Sequence, residues 1–357
     1  MATKSEVLTK LGELLPLQEE WEELRIKSGS TVFTSPWWTC IWLKHFQSQA
    51  SPKVLVQWEG EEMVVLAPLV TYRSSFKGYP ITYLCMAGNF GETSEYYDLE
   101  FLHGRGPGPA ARALASGIKG IRWNLLQLRN LRWNSMAQAF FAQASQAWHC
   151  EDELYHASPF VTLEPSRPVL DGFEGRAGRK VKQMVESLER ERRLELRKVR
   201  SSDEVAASID TYVEQHKERW ACKGGSIFHE KSQSGFLKEV AIRGAEEGAV
   251  VLYEVRIDGE VASQQICVRD GGSLRMWKIG MNDRFKAYIP GYLSVYFGML
   301  EAQRGGFTEY DLGPGEDAYK YKVGGVDRHT HNIQGKRGMV DLVSKASHLP
   351  GMRKLTD

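Results

Sequence analysis

The two halves of the chain repeat one pattern of apolar and polar residues. In each half two apolar runs flank a turn, over residues 54–69 around Gly60 and over residues 250–266 around Asp258-Gly259, which predicts a hairpin. A further apolar strand, a Pro/Gly-rich break, a helix, a glycine and another strand then follow in both halves. The order predicts a duplicated α/β domain with mixed sheets.

The boundary between the halves is predicted from composition. Residues 165–178 are rich in proline and glycine, which is typical of a linker. We therefore expect a first domain at 1–165, a second at 166–337 and a C-terminal tail at 338–357.

Charge and cysteine content narrow the class of protein. The 357 residues carry 46 Lys plus Arg against 45 Asp plus Glu, so binding along duplex DNA is not expected. The five cysteines include no C-x-x-C pair, and no metal-binding histidine spacing occurs, so we expect neither a disulfide framework nor a metal. No apolar run is long enough to span a membrane, and the prediction is a cytoplasmic protein.

The strongest candidate site begins at Pro290-Gly291, directly after a predicted strand. A helix N-terminus has unpaired N–H groups and a positive dipole, so it binds anions. Gly291 would let the backbone approach a pyrophosphate, and the backbone N–H groups that follow would donate to it, namely those of Tyr292, Leu293 and Ser294. An ordinary Pro-Gly helix start explains the same residues.

A second candidate cluster lies just beyond the predicted strand that ends at Leu312. Lys320 and Lys322 would neutralise phosphate or polarise a carbonyl, and either Glu316 or Asp317 would take a proton from an amine. A solvated charged loop accounts equally for this composition.

Two polar residues fall inside predicted central strands. A buried lysine needs a partner, so Lys278 is predicted to lie at a strand end or in a site. Gln264 is either a substrate contact or a satisfied core residue. Residues 176–200, with ten basic and four acidic side chains, are predicted to form an exposed amphipathic helix.

Taken in order, these motifs resemble a known group of proteins. Their order is similar to that in GNAT-superfamily acyltransferases of the CelD-like, cellulose-biosynthesis type. In chain order the motifs are the basic segment, Arg219-Trp220-x-x-Lys-Gly-Gly, Gly259-x-Val-Ala-Ser-Gln264, Lys278, Pro290-Gly291, Asp311-x-Gly and Tyr319-Lys320-Tyr-Lys-x-Gly324. That group is related to Fem-type aminoacyltransferases with tandem GNAT domains. In the first half, Ser35-Pro36-x-Trp38, Ala67-Pro68-Leu69 and Tyr97-Asp98 carry a looser resemblance.

The resemblance implies two tandem GNAT-like domains, the first degenerate, with an acyl donor on the second. Lys320 matches a functionally important lysine of the Fem-type relatives, and Asp98 matches an aspartate that contacts the acceptor. Tyr97 and Trp38, from the same looser motifs, are the further candidate acceptor contacts.

The predicted function is transfer of an acyl group from acyl-CoA to a small-molecule amine by direct attack in a ternary complex, with no permanently bound cofactor. A Fem-type aminoacyl-tRNA-dependent transferase is the first alternative, since the basic segment would suit tRNA. A non-catalytic binding protein that keeps only the fold is the second.

Overall fold

The structure, a computed structural model, describes residues 3–76, 78–88, 102–104, 106–222, 224–338 and 340–342. It divides into two compact units, Met1–His156 with His329–Asp357, and Ala157–Arg328. Tyr97 and Asp98, the predicted acceptor contacts, lie outside the described residues.

The first unit is a mixed sheet with helices. Its helices are α1 (Leu11–Leu14), α2 (Gln18–Ser28), α3 (Pro36–Phe46), α4 (Pro107–Gly120) and α5 (Ser135–Ala147). Its strands are β1 (Thr3–Leu8), β2 (Ser51–Glu59), β3 (Glu62–Phe76), β4 (Tyr79–Met86), β5 (Leu102–His103), β6 (Leu125–Leu131), β7 (His149–Ala157) and β14 (His329–Lys336). The strand order is β1-β2-β3-β4-β6-β14-β7, with β5 on β3 and with β4 parallel to β6.

The second unit is a six-stranded sheet with helices. Its helices are α6 (Ala177–Arg190), α7 (Ser202–Trp220), α8 (Lys231–Glu246), α9 (Pro290–Arg304) and α10 (Ala318–Lys322). Its strands are β8 (Phe160–Thr162), β9 (Leu194–Val199), β10 (Val250–Ile257), β11 (Glu260–Asp270), β12 (Ser273–Met281) and β13 (Glu309–Asp311). The order is β8-β13-β12-β11-β10-β9, and β12 is parallel to β13.

The two units share one order of elements. A strand and helices precede three antiparallel strands, β2–β4 in the first unit and β10–β12 in the second. A helix then leads to a strand parallel to the third, β6 in the first unit and β13 in the second. The predicted duplication of a mixed α/β domain is therefore confirmed.

The domain limits differ from the predicted 1–165, 166–337 and 338–357. β8 pairs with β13, so residues from Ala157 onward already belong to the second unit. The chain later returns, because β14 pairs with β6 of the first sheet. Strand pairing, which composition does not reveal, decides both limits.

The basic segment 176–200 is not one helix. α6 ends at Arg190, a turn with Arg192 at φ +56° follows, and β9 runs antiparallel to β10. No helix in the described part of the chain is both long and apolar enough to cross a bilayer.

Candidate functional site

The site is built where two parallel strands of the second unit separate. β12 and β13 pair only over Ser273–Arg275 and Glu309–Asp311, although β12 continues to Met281. Beyond Arg275, the described residues place no strand on this edge of β12. Alternate residues of an extended strand direct their N–H groups to each edge, so donors of residues 276–281 open into the gap.

A bulge bends β12 at the point of separation. Ile266 pairs with Lys278 and Cys267 pairs with Met276, so Trp277 is an extra residue in the register. A bulge bends its strand and raises the local twist, which directs the rest of β12 away from β13.

The N-terminus of α9 faces the same region. Ile289 precedes Pro290 with φ +48°, a conformation that costs free energy for a β-branched residue and often marks a functional site. The carbonyl oxygen of Ile289 accepts from the N–H groups of Tyr292 and Leu293, at 3.0 and 3.2 Å. Gly291 comes before Tyr292 in the chain, and its N–H is one of the helix N-terminal donors without an intrahelical partner. It is therefore the donor available at the tip of the helix.

Close packing explains why residue 291 is a glycine. A Cβ added there would lie 2.5 Å from the Sδ atom of Met281, at the end of β12. Ser263 on β11 also donates to the carbonyl oxygen of Pro290, at 3.0 Å. These contacts hold the tip of α9 against the separated end of β12.

A cavity of about 320 Å³ lies between these elements; we call it the donor cavity. Its walls are mainly apolar side chains with basic groups at the margin. The lining residues are Arg219, Ile279, Met281, Asn282, Asp283, Lys286, Ile289, Pro290, Gly291, Tyr292 and Tyr319. Arg219 is 3.8 Å from Asp283, whereas Lys286 adds positive charge. A mainly apolar space whose lining also includes two cations suits a chain that carries phosphate.

Two tyrosines in this cavity keep their protons at neutral pH. Burial, and then the charge of Asp317, raise the pKa of the Tyr319 hydroxyl. Burial also raises the pKa of Tyr292. A protonated phenol beside a cavity can donate a proton to a leaving group.

Lys320 does not line this cavity. Its side chain is 3% exposed, and the Nζ atom donates to the main-chain carbonyl oxygens of Gly313, Pro314 and Gly315. The ammonium group therefore fixes the loop that leads from β13 to α10. This structural role of Lys320 differs from the predicted one, in which its positive charge would lie beside the reacting carbonyl group.

Asp311, in the predicted Asp-x-Gly motif, is also structural. One carboxylate oxygen accepts from the N–H of Gly313 at 2.8 Å, and the other lies 3.1 Å from Arg275 and 2.6 Å from Arg328. The residue is 1% exposed, so these partners satisfy a buried charge. They hold β13 beside the start of β12.

The predicted catalytic carboxylates lie beside α10. Glu316 and Asp317 are exposed, and Asp317 Oδ2 is 3.7 Å from Lys320 Nζ. The carboxylate of Asp317 is close enough to act on the pKa of Tyr319, which brings it near the donor cavity. Both remain candidate bases.

Lys278 and Gln264 lie on the face of the sheet that packs against α7. Ile279 and Met281 line the donor cavity, and strand alternation turns Lys278 to the other face, where its Nζ lies 5.6 Å from the Trp277 ring. Gln264 is buried and its Nε2 donates to the carbonyl and hydroxyl oxygens of Ser208, at 2.9 and 2.8 Å. Neither Lys278 nor Gln264 lines the donor cavity. The burial and hydrogen bonds of Gln264 are those of a satisfied core residue, which is the second of the two roles predicted for it.

The structure places four further predicted contacts differently. The N–H groups of Tyr292 and Leu293 donate to the carbonyl oxygen of Ile289, and Ser294 follows inside α9, so the N–H of Gly291 is the donor at the helix tip. Trp38 in α3 is fully buried, with its ring 4.8 Å from the Phe33 ring. A side chain without exposed surface packs the core of the first unit and does not contact an acceptor.

Sequence reasoning missed Tyr319, Arg219 and the apolar wall formed by Ile279 and Met281. Tyr319 lies in the Tyr319-Lys320-Tyr-Lys-x-Gly324 motif, but nothing in the sequence distinguishes it from Tyr321 as the tyrosine that lines the cavity. The alternating apolar residues of β12 gave no signal, since only the separation of the strands exposes one of their faces.

Comparison with known proteins agrees with the resemblance found in the sequence. Residues 175–321 match the family model described as Acetyltransferase (GNAT) domain. Comparison with curated proteins gives no match.

Solved structures share the fold over most of this chain. FemX is 13% identical, with a TM-score of 0.61, over 87% of this chain and 95% of that chain. A conserved protein of unknown function from Bacteroides thetaiotaomicron is 9% identical, with a TM-score of 0.56, over 93% of this chain and 100% of that chain. At these low sequence identities the comparison shows a shared fold only.

Proposed function

We propose that this chain, whose residues 175–321 form an acetyltransferase domain of the GNAT family, is an N-acyltransferase that moves an acyl group from acyl-CoA to an amine. The observation that carries the proposal is the donor cavity, placed between the separated end of β12 and the tip of α9. The pyrophosphate of the donor would accept from the Gly291 N–H, and the pantetheine arm would lie along the apolar wall.

The reaction is a direct attack. A base, Asp317 or Glu316, takes a proton from the acceptor ammonium, and the amine nitrogen attacks the thioester carbonyl carbon. N–H groups on the open edge of β12 donate to the oxyanion that forms. The C–S bond then breaks, and the Tyr319 hydroxyl gives its proton to the leaving thiolate. The nitrogen still carries two protons, and one of them passes to the Tyr319 phenolate, which restores the phenol and leaves a neutral amide.

A covalent cysteine intermediate is not part of this scheme. Cys267 lies within β11 and burial raises its pKa to about 12, so the thiol is protonated at neutral pH. None of the described cysteines lines the donor cavity. Both reactants therefore bind before transfer.

The proposal is tested by release of free CoA thiol from acetyl-CoA and longer acyl-CoAs in the presence of a panel of amines. Tyr319→Phe should lower kcat about 100-fold with little change in KM for the donor, because the proton for the leaving thiolate is lost. Tyr321→Phe is the matched control: its hydroxyl donates to Asp327 at 2.9 Å, away from the donor cavity, and activity should be retained.

Three outcomes would contradict the proposal. Full activity of Tyr319→Phe would remove this proton donor from the mechanism. Absence of both transfer and donor binding, measured by calorimetry, would favour the non-catalytic alternative. Loss of activity after RNase treatment would instead favour the aminoacyl-tRNA donor.

A further inference from the structure

A second cavity of about 450 Å³ lies on the other side of the residues that begin α9. We call it the basic cavity. It shares the lining residues Ile289 and Tyr292 with the donor cavity, so the two spaces adjoin at these side chains. Both cavities lie within the second unit.

Positive charge dominates the lining of the basic cavity. Arg176, Lys180 and Lys322 contribute three cations, against the single carboxylate of Glu174. Within the part of the chain that the structure describes, none of the three cations forms an ion pair with a carboxylate. Other cations of the same segment do have partners, as in Arg193 with Asp258. The basic cavity therefore keeps an excess of uncompensated positive charge.

Backbone contacts fix the chain positions from which the three cations extend. The N–H of Glu174 donates to the carbonyl oxygen of Lys322 at 2.8 Å, which ties the start of α6 to the end of α10. Gly324, at φ +91°, packs so closely that a Cβ would lie 2.5 Å from the carbonyl oxygen of Gly172. Arg176 and Lys180 are one helical turn apart on the first turn of α6, so they share a face.

The N-terminus of α6 adds to the positive electrostatic potential of the basic cavity. The helix has 14 residues and no acidic side chain in its first turn, so its dipole is not compensated there. Three cations and a helix dipole around one space select a multiply charged anion, and a phosphate monoester fits this requirement.

We propose that the basic cavity binds the 3′-phosphate of acyl-CoA. The inference rests on the proposed function, which places the pyrophosphate of the same donor at Gly291. In CoA one ribose joins the pyrophosphate to the 3′-phosphate, and here the two cavities adjoin at the shared side chains of Ile289 and Tyr292. The site thus selects free acyl-CoA over a carrier protein, whose phosphopantetheine arm has no phosphate monoester.

The experiment compares acetyl-CoA with 3′-dephospho-acetyl-CoA by calorimetric titration of the full chain. Wild-type protein should bind acetyl-CoA about tenfold more tightly, because charge-assisted contacts to the phosphate are lost in the other ligand. The double variant Arg176→Gln/Lys180→Gln should bind both ligands with the affinity that wild type has for 3′-dephospho-acetyl-CoA. These side chains are exposed, so the variant should fold, and its Tm is measured to verify this.

Lys182→Gln is the matched control. This residue lies on α6, its side chain is 67% exposed and it pairs with Glu186, so the preference for acetyl-CoA should persist. A loss of preference in Lys182→Gln equal to that in the double variant would show a general charge effect and overturn the assignment.

The failures of the two proposals are distinguishable. Equal affinity of wild type for both ligands would overturn the 3′-phosphate site and leave the donor cavity standing. Absence of binding to either ligand would overturn the proposed function itself.

Discussion

The ammonium group of Lys320 holds the loop between β13 and α10 by three main-chain carbonyl oxygens. Tyr319, the neighbouring residue, lines the donor cavity. Since the loop sets where α10 begins, Lys320 is a positioning residue for Tyr319. The resemblance to Fem-type proteins singles out Lys320, whereas its burial and its contacts come from the tertiary structure.

At this scale we predict that Lys320→Met lowers both activity and stability. The variant leaves three carbonyl oxygens without their donor in a 3% exposed site, which should cost about 2–3 kcal/mol of unfolding free energy. The measurements are urea unfolding and kcat for acyl transfer. Loss of kcat with unchanged unfolding free energy would show instead that Lys320 acts directly on the reactants.

At the scale of elements, the start of α7 is fixed by a capping box. Ser201 Oγ accepts from the N–H of Glu204, and Glu204 Oε2 accepts from the N–H groups of Ser201 and Arg200. These backbone donors, with Arg197 beside them, lower the pKa of Glu204 to about 2. The helix so anchored carries Arg219, on the wall of the donor cavity, near its other end.

The capping box predicts a pH-dependent stability. The folded pKa of Glu204 lies below its ordinary value of 4.5, so its contribution is complete above pH 4.5 and is lost as pH falls toward about 2. Glu204→Gln should lower the Tm at pH 7, and the gap to wild type should narrow as the pH falls below 4.5. Thermal unfolding at a series of pH values tests this.

Glu214→Gln on the same helix is the control. Glu214 is exposed and pairs only with its neighbour Lys217 among the contacts described, at 2.9 Å, so its Tm should follow wild type at every pH. A Tm gap for Glu204→Gln that stays constant with pH would exclude the ionised cap as its cause.

In the molecule as a whole, the first unit is built from two separate stretches of sequence, Met1–His156 and His329–Asp357, whereas the second unit is one continuous stretch. β14 is remote in sequence from β6, yet the two strands pair, with Ile333 opposite Leu128. Ile333 is fully buried, as is Ile257 on β10 of the second unit. The same substitution at these two positions therefore reports on different units.

We expect Ile333→Ala to cost about 2–4 kcal/mol and to raise hydrogen exchange in β6 and β14 while β10–β12 stay protected. Ile257→Ala should give the opposite pattern. Faster hydrogen exchange in β10–β12 of Ile333→Ala, with exchange in β6 unchanged, would show that residues 329–336 belong to the second unit. That is the assignment that composition alone predicts.

Local chemistry in the sequence is enough to predict many of the helices, strands and turns, although not the division of residues 176–200 into α6 and β9. Ser35-Pro36 and Pro290 mark the starts of α3 and α9, and Asp258-Gly259 marks the turn between β10 and β11, because capping and turn chemistry act over a few residues. The repeated order then gave the duplicated α/β architecture, and the motif order gave the GNAT resemblance.

Only the tertiary structure decided how distant segments meet. It assigned β8 and β14 to their sheets, turned Lys278 away from the donor cavity and buried Trp38. It also brought Tyr319 to the tip of α9, and Arg176 to the end of α10. These outcomes depend on strand pairing and on packing between residues far apart in sequence, which local periodicity does not encode.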